Sequence, residues 1–238
     1  MNACLSACLV EAKTKMLPIV RSAVARLLPC DATPILCSSI GRVGSSLTYR
    51  ALVRERAKAL FGVTRYSTET LLTATAWDVK DVAFRHGAIY KTHDFPYGLA
   101  ATPLKAVFLY GRPSDCVLSV VRCHATKGPN WVQRHFAHMH ARGGYDELLH
   151  TDVLRISEQI DAWSHARNAD ILGMRYESLW DNVDVLSEFV GFEVKLPART
   201  ERSFAEMDTD IVALARHSYR ELDLREARLP DYFHSSAA

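Results

Sequence analysis

The chain has no C-x-x-C pair, no internal repeat and no low-complexity tract in its 238 residues. Its six cysteines, Cys4, Cys8, Cys30, Cys37, Cys116 and Cys123, are scattered. That argues against a small disulfide scaffold and reads as free thiols in a reducing compartment. No apolar run approaches the roughly 18 residues needed to cross a bilayer, so no membrane partner and a cytoplasmic setting are expected. Net charge is only +2. A nucleic-acid scaffold would show a basic stripe, so no nucleic-acid partner is expected. The nucleoside-triphosphate loop G-x-x-x-x-G-K-[ST] is missing as well. No carboxylate pair suited to a metal stands out. His124, His135, His138 and His140 match no zinc spacing, so no metal is expected.

What remains is ordinary globular material. Hydrophobic residues make up 48% and charged residues 24%, as in a typical soluble domain. The length suits one α/β domain with a good core. Residues 1–32 read as an N-terminal helical cover, broken at Pro18, in which Met1 to Leu28 carries Lys13, Lys15, Arg21 and Arg26 against the single acid Glu11. It lacks the charged start and apolar centre of a signal peptide. Residues 34–207 read as the core and 208–238 as a helical tail. Strands and helices alternate along the core. Helices are expected at 45–60, 114–127, 131–141, 151–168 and 182–190. Such alternation predicts a parallel sheet flanked by helices.

Three strand ends carry chemistry. Pro34 to Cys37 reads as a buried strand. It is followed by a loop with Gly41, Arg42, Val43 and Gly44, the hydroxyls of Ser45 and Ser46, and a helix opening at Leu47. Strand, glycine loop and helix make a common cradle for phosphate, because backbone N–H groups turn inward at a helix N-terminus. No lysine precedes Ser45, so the loop's own cation is Arg42. A second strand, Ala88 to Tyr90, delivers Lys91 and His93, two residues apart and so on one face. They suit a charge stabiliser and a proton acceptor. A third strand, Lys105 to Tyr110, ends in Arg112, and Ser114 is expected to cap the helix that carries Ser119. An arginine fork with a hydroxyl suits a phosphate monoester. In open α/β sheets ligands sit beyond the carboxyl ends of the strands, where these groups would gather.

In this order the segments resemble the PAPS-dependent sulfotransferases, PAPS being 3′-phosphoadenosine-5′-phosphosulfate. Gly41-Arg-Val-Gly-Ser-Ser46 is similar to that family's loop [PS]-[KR]-x-G-[ST]-[ST]. Lys91-Thr-His-Asp-Phe-Pro96 is similar to K-T-H-x-P, with one extra residue. Arg112-Pro-Ser-Asp-Cys-Val-Leu-Ser119 is similar to R-x-P-x-D-x-x-x-S, one residue shorter between Arg and Asp. Downstream, Tyr176-Glu177-Ser-Leu179 resembles Y-E-D-L, Glu188-Phe-Val-Gly191 resembles E-F-[LV]-G, and Arg202-Ser203-Phe204-Ala-Glu-Met207 resembles T-S-F-x-x-M. The late R-K-G-x-x-G-D-W-K clamp and the K-x-x-x-T-V-x-x-x-E dimer element have no counterpart. Arg225 and Arg228 are the candidates to replace the clamp.

The resemblance implies transfer of a sulfuryl group from PAPS to a hydroxyl or amine of a small-molecule acceptor, without a metal. His93 would be the general base and Lys91 and Arg42 the charge stabilisers. Arg42, Val43, Gly44, Ser45, Ser46 and Leu47 would hold the 5′-phosphosulfate. Arg112 and Ser119 would take the 3′-phosphate, and Tyr176, Arg202, Ser203, Phe204 and Met207 the adenine end. Phe95, Tyr66, Trp77, Phe84, Trp131 and Phe136 could line the acceptor pocket, with Lys127 to Gly144 as a cover. Asp94 and Glu69 could select a cationic acceptor. Two other readings stay open, a phosphotransferase that would need Mg²⁺ and a non-catalytic nucleotide binder.

Overall fold

Strand β1 (Ile35–Ser39) is buried along its whole length, and β4 (Lys105–Tyr110) along all but its first residue. A continuous apolar run without alternation marks a strand covered on both faces, as in a parallel sheet. In the computed structural model these two strands form the middle of a six-stranded sheet of order β2-β3-β1-β4-β5-β6. Its other members are β2 (Thr73–Thr75), β3 (Ile89–Lys91), β5 (Asp170–Arg175) and β6 (Tyr232–Ser235). β2, β3, β1, β4 and β5 pair in parallel, and β6 runs antiparallel beside β5. The fold is therefore α/β with a mostly parallel sheet flanked by helices.

The structure describes residues 17–29, 32–99 and 103–236. The first half of the expected N-terminal cover, with Cys4 and Cys8, and also Cys30, lie outside the described residues. Helix α1 covers 17–27, and its Arg21 donates to the Thr70 carbonyl at 2.7 Å. The remaining helices are α2 (Ser45–Phe61), α3 (Tyr66–Leu72), α4 (Pro113–Lys127), α5 (Pro129–His138), α6 (Ile156–His165), α7 (Val183–Val190), α8 (Thr209–Ser218) and α9 (Arg220–Ala227). Among the described residues no helix is long and apolar enough to cross a membrane.

Local chemistry explains where elements differ from the sequence reading. The helix expected over 151–168 starts only at Ile156. The Asp152 carboxylate accepts the N–H groups of Ile156 and Ser157, each at 2.9 Å, and Arg155 adopts a left-handed φ of 58°. Val153 is thus in the turn before α6, while Ile156, Ile160 and Trp163 form its buried stripe. Trp163 stacks on Phe108 of β4 at 5.3 Å. Ser114 does not cap α4. Pro113 occupies the first turn, where its missing N–H costs nothing, and the Ser114 hydroxyl donates to Asp223 of α9 at 2.5 Å. The C-terminal tail is not purely helical either, since it returns to the sheet as β6. Gly173 makes that possible: a Cβ there would stand 2.1 Å from the Phe233 ring.

The tail is anchored by a buried ion pair. Arg175, at the end of β5, contacts the Glu226 carboxylate on α9 and donates to the Glu226 carbonyl at 3.0 Å. Glu226 is 3% exposed. Burial pushes its pKa up and the adjacent guanidinium opposes that, so the carboxylate depends on its partner. Truncation in Arg175→Ala would strand it, at a cost of about 3–5 kcal/mol. For a chain of this size that lowers Tm by on the order of 10 °C, measurable by differential scanning calorimetry. Arg175→Ala/Glu226→Met should recover much of the loss.

Candidate functional site

The turn after β1 is built from left-handed residues. Gly41, Arg42 and Gly44 have φ of 81°, 59° and 75°. At Gly44 the constraint is also steric, because a Cβ would lie 2.4 Å from the Tyr176 ring. Gly44 precedes α2 with no side-chain cap, and the first turn of α2 has no acid. The N–H groups of Leu47 and Thr48 return to the Gly44 carbonyl at 2.9 Å. Those of Ser45 and Ser46 have no acceptor among the described residues. Two open donors at the positive end of a helix dipole favour an anion.

Cations converge on this turn. Lys91, at the end of β3, donates from Nζ to Ser46 Oγ at 2.5 Å. Burial lowers its pKa, and Arg50 and Arg42 add to the effect. Arg42 Nε donates to Ser119 Oγ on α4 at 3.0 Å. The Arg42 carbonyl accepts from Arg202 at 2.8 Å, and Arg202 lies over the Tyr176 ring at 4.7 Å.

His93 is 6% exposed. Its Nδ1 lies 3.1 Å from the Ser39 carbonyl and 3.0 Å from Ser39 Oγ. A carbonyl can only accept, so Nδ1 carries the hydrogen and Nε2 offers the lone pair. Burial lowers the His93 pKa to about 4, and nearby Lys91 adds to this against the Ser39 hydrogen bond. At neutral pH the ring is an uncharged base.

These groups face one cavity of about 620 Å³, within the range of roughly 300–1,000 Å³ typical of ligand sites. Arg42, Gly44, Ser45, Ser46, Leu47, Lys91, His93, Ser119, Tyr176 and Arg202 all line it. Helix α5 supplies a wall of Trp131, Arg134, His135 and His138. The spacing i, i+3, i+4, i+7 puts the four on one helix face. His135 stacks on Trp131 at 4.9 Å and meets His93 edge-on at 5.9 Å. Burial pushes the pKa of His135 well down, and burial also lowers that of His138.

Several expected residues land elsewhere. Arg112 is exposed and lines a separate cavity with Arg175, Glu177, Arg216 and Arg220. At the preceding Gly111 a Cβ would stand 2.9 Å from the Glu177 carboxylate. Arg122, one turn beyond Ser119 on α4, lines the main cavity instead. Arg225 is held by Ser157 and Asp161, and neither it nor Arg228 reaches the cavity. Val43 is fully buried, so only its backbone can serve a ligand. Ser203 and Phe204 do not line the cavity but touch Arg122, which donates to the Ser203 carbonyl at 3.0 Å and lies over the Phe204 ring at 5.4 Å. Met207 is half-buried and does not line the cavity.

Of the aromatic candidates, Trp77 and Trp131 line the cavity. Phe95 is buried under Arg155, Phe84 packs edge-on against Tyr90, Phe136 packs on the core, and Tyr66 is 87% exposed. Asp94 is turned away, its oxygens accepting the Val79 and Phe95 N–H groups at 2.8 and 2.7 Å, and Glu69 lies outside the cavity too. His124 stacks on Tyr145 and His140 meets Asp94 at 3.1 Å, so the four histidines do not share one site. Asp78, Asp94 and His140 bring ligand atoms within 4.8 Å of one another, with both Asp94 oxygens already engaged.

Gly44→Ala tests the turn. Its left-handed φ alone costs an alanine about 1–2 kcal/mol, and the Tyr176 contact adds to that. The variant should melt several degrees lower than the native protein in a thermal-unfolding scan. No protein-family model and no curated protein matches the chain, so its own residues carry the functional reading.

Proposed function

We propose that the chain transfers a sulfuryl group from PAPS to a hydroxyl or amine of a small-molecule acceptor. One observation carries the reading: an uncapped helix N-terminus, the cations Lys91 and Arg42, and a neutral His93 with Nε2 available all face the same cavity. Anion binding alone would not call for a base buried beside the anion site.

The residues fit the donor. The open N–H groups of Ser45 and Ser46, with the hydroxyl of Ser46 and Lys91, suit a 5′-phosphosulfate. Ser119 with Arg122 and Arg202 suits the 3′-phosphate, with Arg122 taking the role expected of Arg112. Tyr176 lines the nucleoside end. When bound, the donor supplies the sulfuryl group and leaves as adenosine 3′,5′-bisphosphate. His93 Nε2 accepts the proton of the acceptor, while Ser39 holds the opposite ring nitrogen and so fixes the tautomer. Lys91 and Arg42 stabilise negative charge growing on oxygen, and their burial strengthens that effect. The buried free thiols of Cys37, Cys116 and Cys123 accord with a cytoplasmic setting.

Two experiments test the reading. Adenosine 3′,5′-bisphosphate should raise Tm well above the shift given by ADP or 5′-AMP, because only the native state binds it. A larger shift with ADP that requires Mg²⁺ would favour a phosphotransferase. With PAPS and a panel of phenols, alcohols and amines, His93→Ala should lower turnover by about 10²–10⁴-fold and retain the bisphosphate shift. His93 acts as a base only when neutral, and its pKa lies near 4. The acid limb of kcat/KM should therefore fall through pH 4 and not through 6.5. Unchanged turnover in His93→Ala would remove the assigned base.

A further inference from the structure

Trp77, Arg134 and His138 line the cavity and are given no part in holding the donor. Trp77 stacks on His138 of α5 with centroids 3.9 Å apart and planes within 2°, and its ring is 6.1 Å from His93. This stack, which offers a ligand only its outer ring faces and edges, therefore stands beside the assigned base. Arg134 is one turn before His138 on the same helix face, and its charge is felt at that imidazole. The cations assigned to the donor are already engaged: Lys91 with Ser46, Arg42 with Ser119, Arg202 with the Arg42 carbonyl, and Arg122 with the Ser203 carbonyl. Arg134 is exposed to the cavity and has no hydrogen bond or ion pair among the described residues. The one carboxylate in the lining, Glu201, leaves the cavity strongly positive. A cationic acceptor would be repelled there, contrary to the expectation drawn from Asp94 and Glu69.

We propose that the acceptor is an anionic phenol, its ring against the Trp77–His138 wall, its carboxylate or comparable anion on Arg134, and its hydroxyl at His93. The proposal rests on the sulfuryl-transfer reading for the reaction, though not for the binding. The phenolic O–H bond breaks, the proton passes to His93 Nε2, an oxygen–sulfur bond forms, and the sulfur–oxygen bond to the phosphate of PAPS breaks. Adenosine 3′,5′-bisphosphate takes the leaving electron pair. A guanidinium pairs with a carboxylate through two parallel hydrogen bonds, and a flat ring suits a stacked aromatic wall.

The test uses the full chain with three matched phenols: 4-hydroxyphenylacetate, its methyl ester, and tyramine. Both kcat/KM with PAPS and calorimetric affinity for the bisphosphate-loaded protein should favour the acid over the ester and the amine. The margin should be at least about ten-fold, the scale of one charge-assisted hydrogen bond. In Arg134→Gln the acid-to-ester ratio should collapse to within about two-fold, and Arg134→Lys should restore part of it. A bisphosphate melting shift in each variant reports that it folds. In the native protein the same ratio should shrink as salt rises, a readout that needs no variant. Preference for the ester or amine, or a ratio indifferent to both Arg134→Gln and salt, overturns the proposal. If no phenol is turned over and the bisphosphate gives no shift, sulfuryl transfer fails as the reaction. Calorimetric binding of the acid to the bare protein, weakened in Arg134→Gln, would then still support an anionic aromatic ligand, and its absence would overturn one.

Discussion

The site depends on Arg42 and the backbone it bends. A non-glycine residue held at a φ of 59° carries strain that its surroundings must repay. They do so from several sides. The side chain reaches Ser119 on α4, the guanidinium lies 5.4 Å from the Trp131 ring centre on α5, and the carbonyl accepts from Arg202. One residue thus ties the turn after β1 to two helices and to the segment beyond α7. Arg202 in turn covers Tyr176, and Tyr176 lies against Gly44. The turn is clamped in the shape that leaves the Ser45 and Ser46 N–H groups without an acceptor among the described residues.

The parallel sheet makes this clamp chemically useful. β1, β3 and β4 run the same way and pair in register, Cys37 beside Lys91 and Ser39 beside Leu109. Their carboxyl ends therefore deliver Ser39, Lys91, His93 and the start of α4 to the same edge. Burial then sets the proton chemistry. Lys91 and His93 both have lowered pKa values, chiefly through desolvation, yet the consequences differ. The lysine starts far above neutrality and stays a cation near Ser46, whereas the histidine becomes a neutral base with its tautomer set by a carbonyl. Burial thus acts on both groups in the same direction, and only for the histidine does it move the pKa away from the neutral range.

Much of this was legible in residue order. The apolar runs marked β1 and β4 because both faces are covered, and Gly41, Gly44 and the hydroxyls marked a turn into a helix. Lys91 and His93 were readable as a pair because a strand alternates. The face of α5 was also readable, since Trp131, Arg134, His135 and His138 recur at helical spacing. Arg112 shows where motif reading stops. Arg112 lines another cavity, and Arg122 lines the main one from α4. Ser114 looked like a cap because caps are short polar residues, but Asp223, over a hundred residues away, captures its hydroxyl.

By itself the sequence determined the periodic and the local: which runs are strands or helices, where glycines permit a left-handed turn, and which polar residues stand at strand ends. Those follow from sterics and from the side-chain spacing of each element, which act over a few residues. Tertiary structure alone decided the rest. It set β6 beside β5 through the space at Gly173, held the Glu226 carboxylate against Arg175, depressed the pKa of His93, and left Arg134 facing the wall of Trp77 and His138. Each of these depends on packing between residues far apart in the chain, where burial and distance set the energies and residue order says nothing of either.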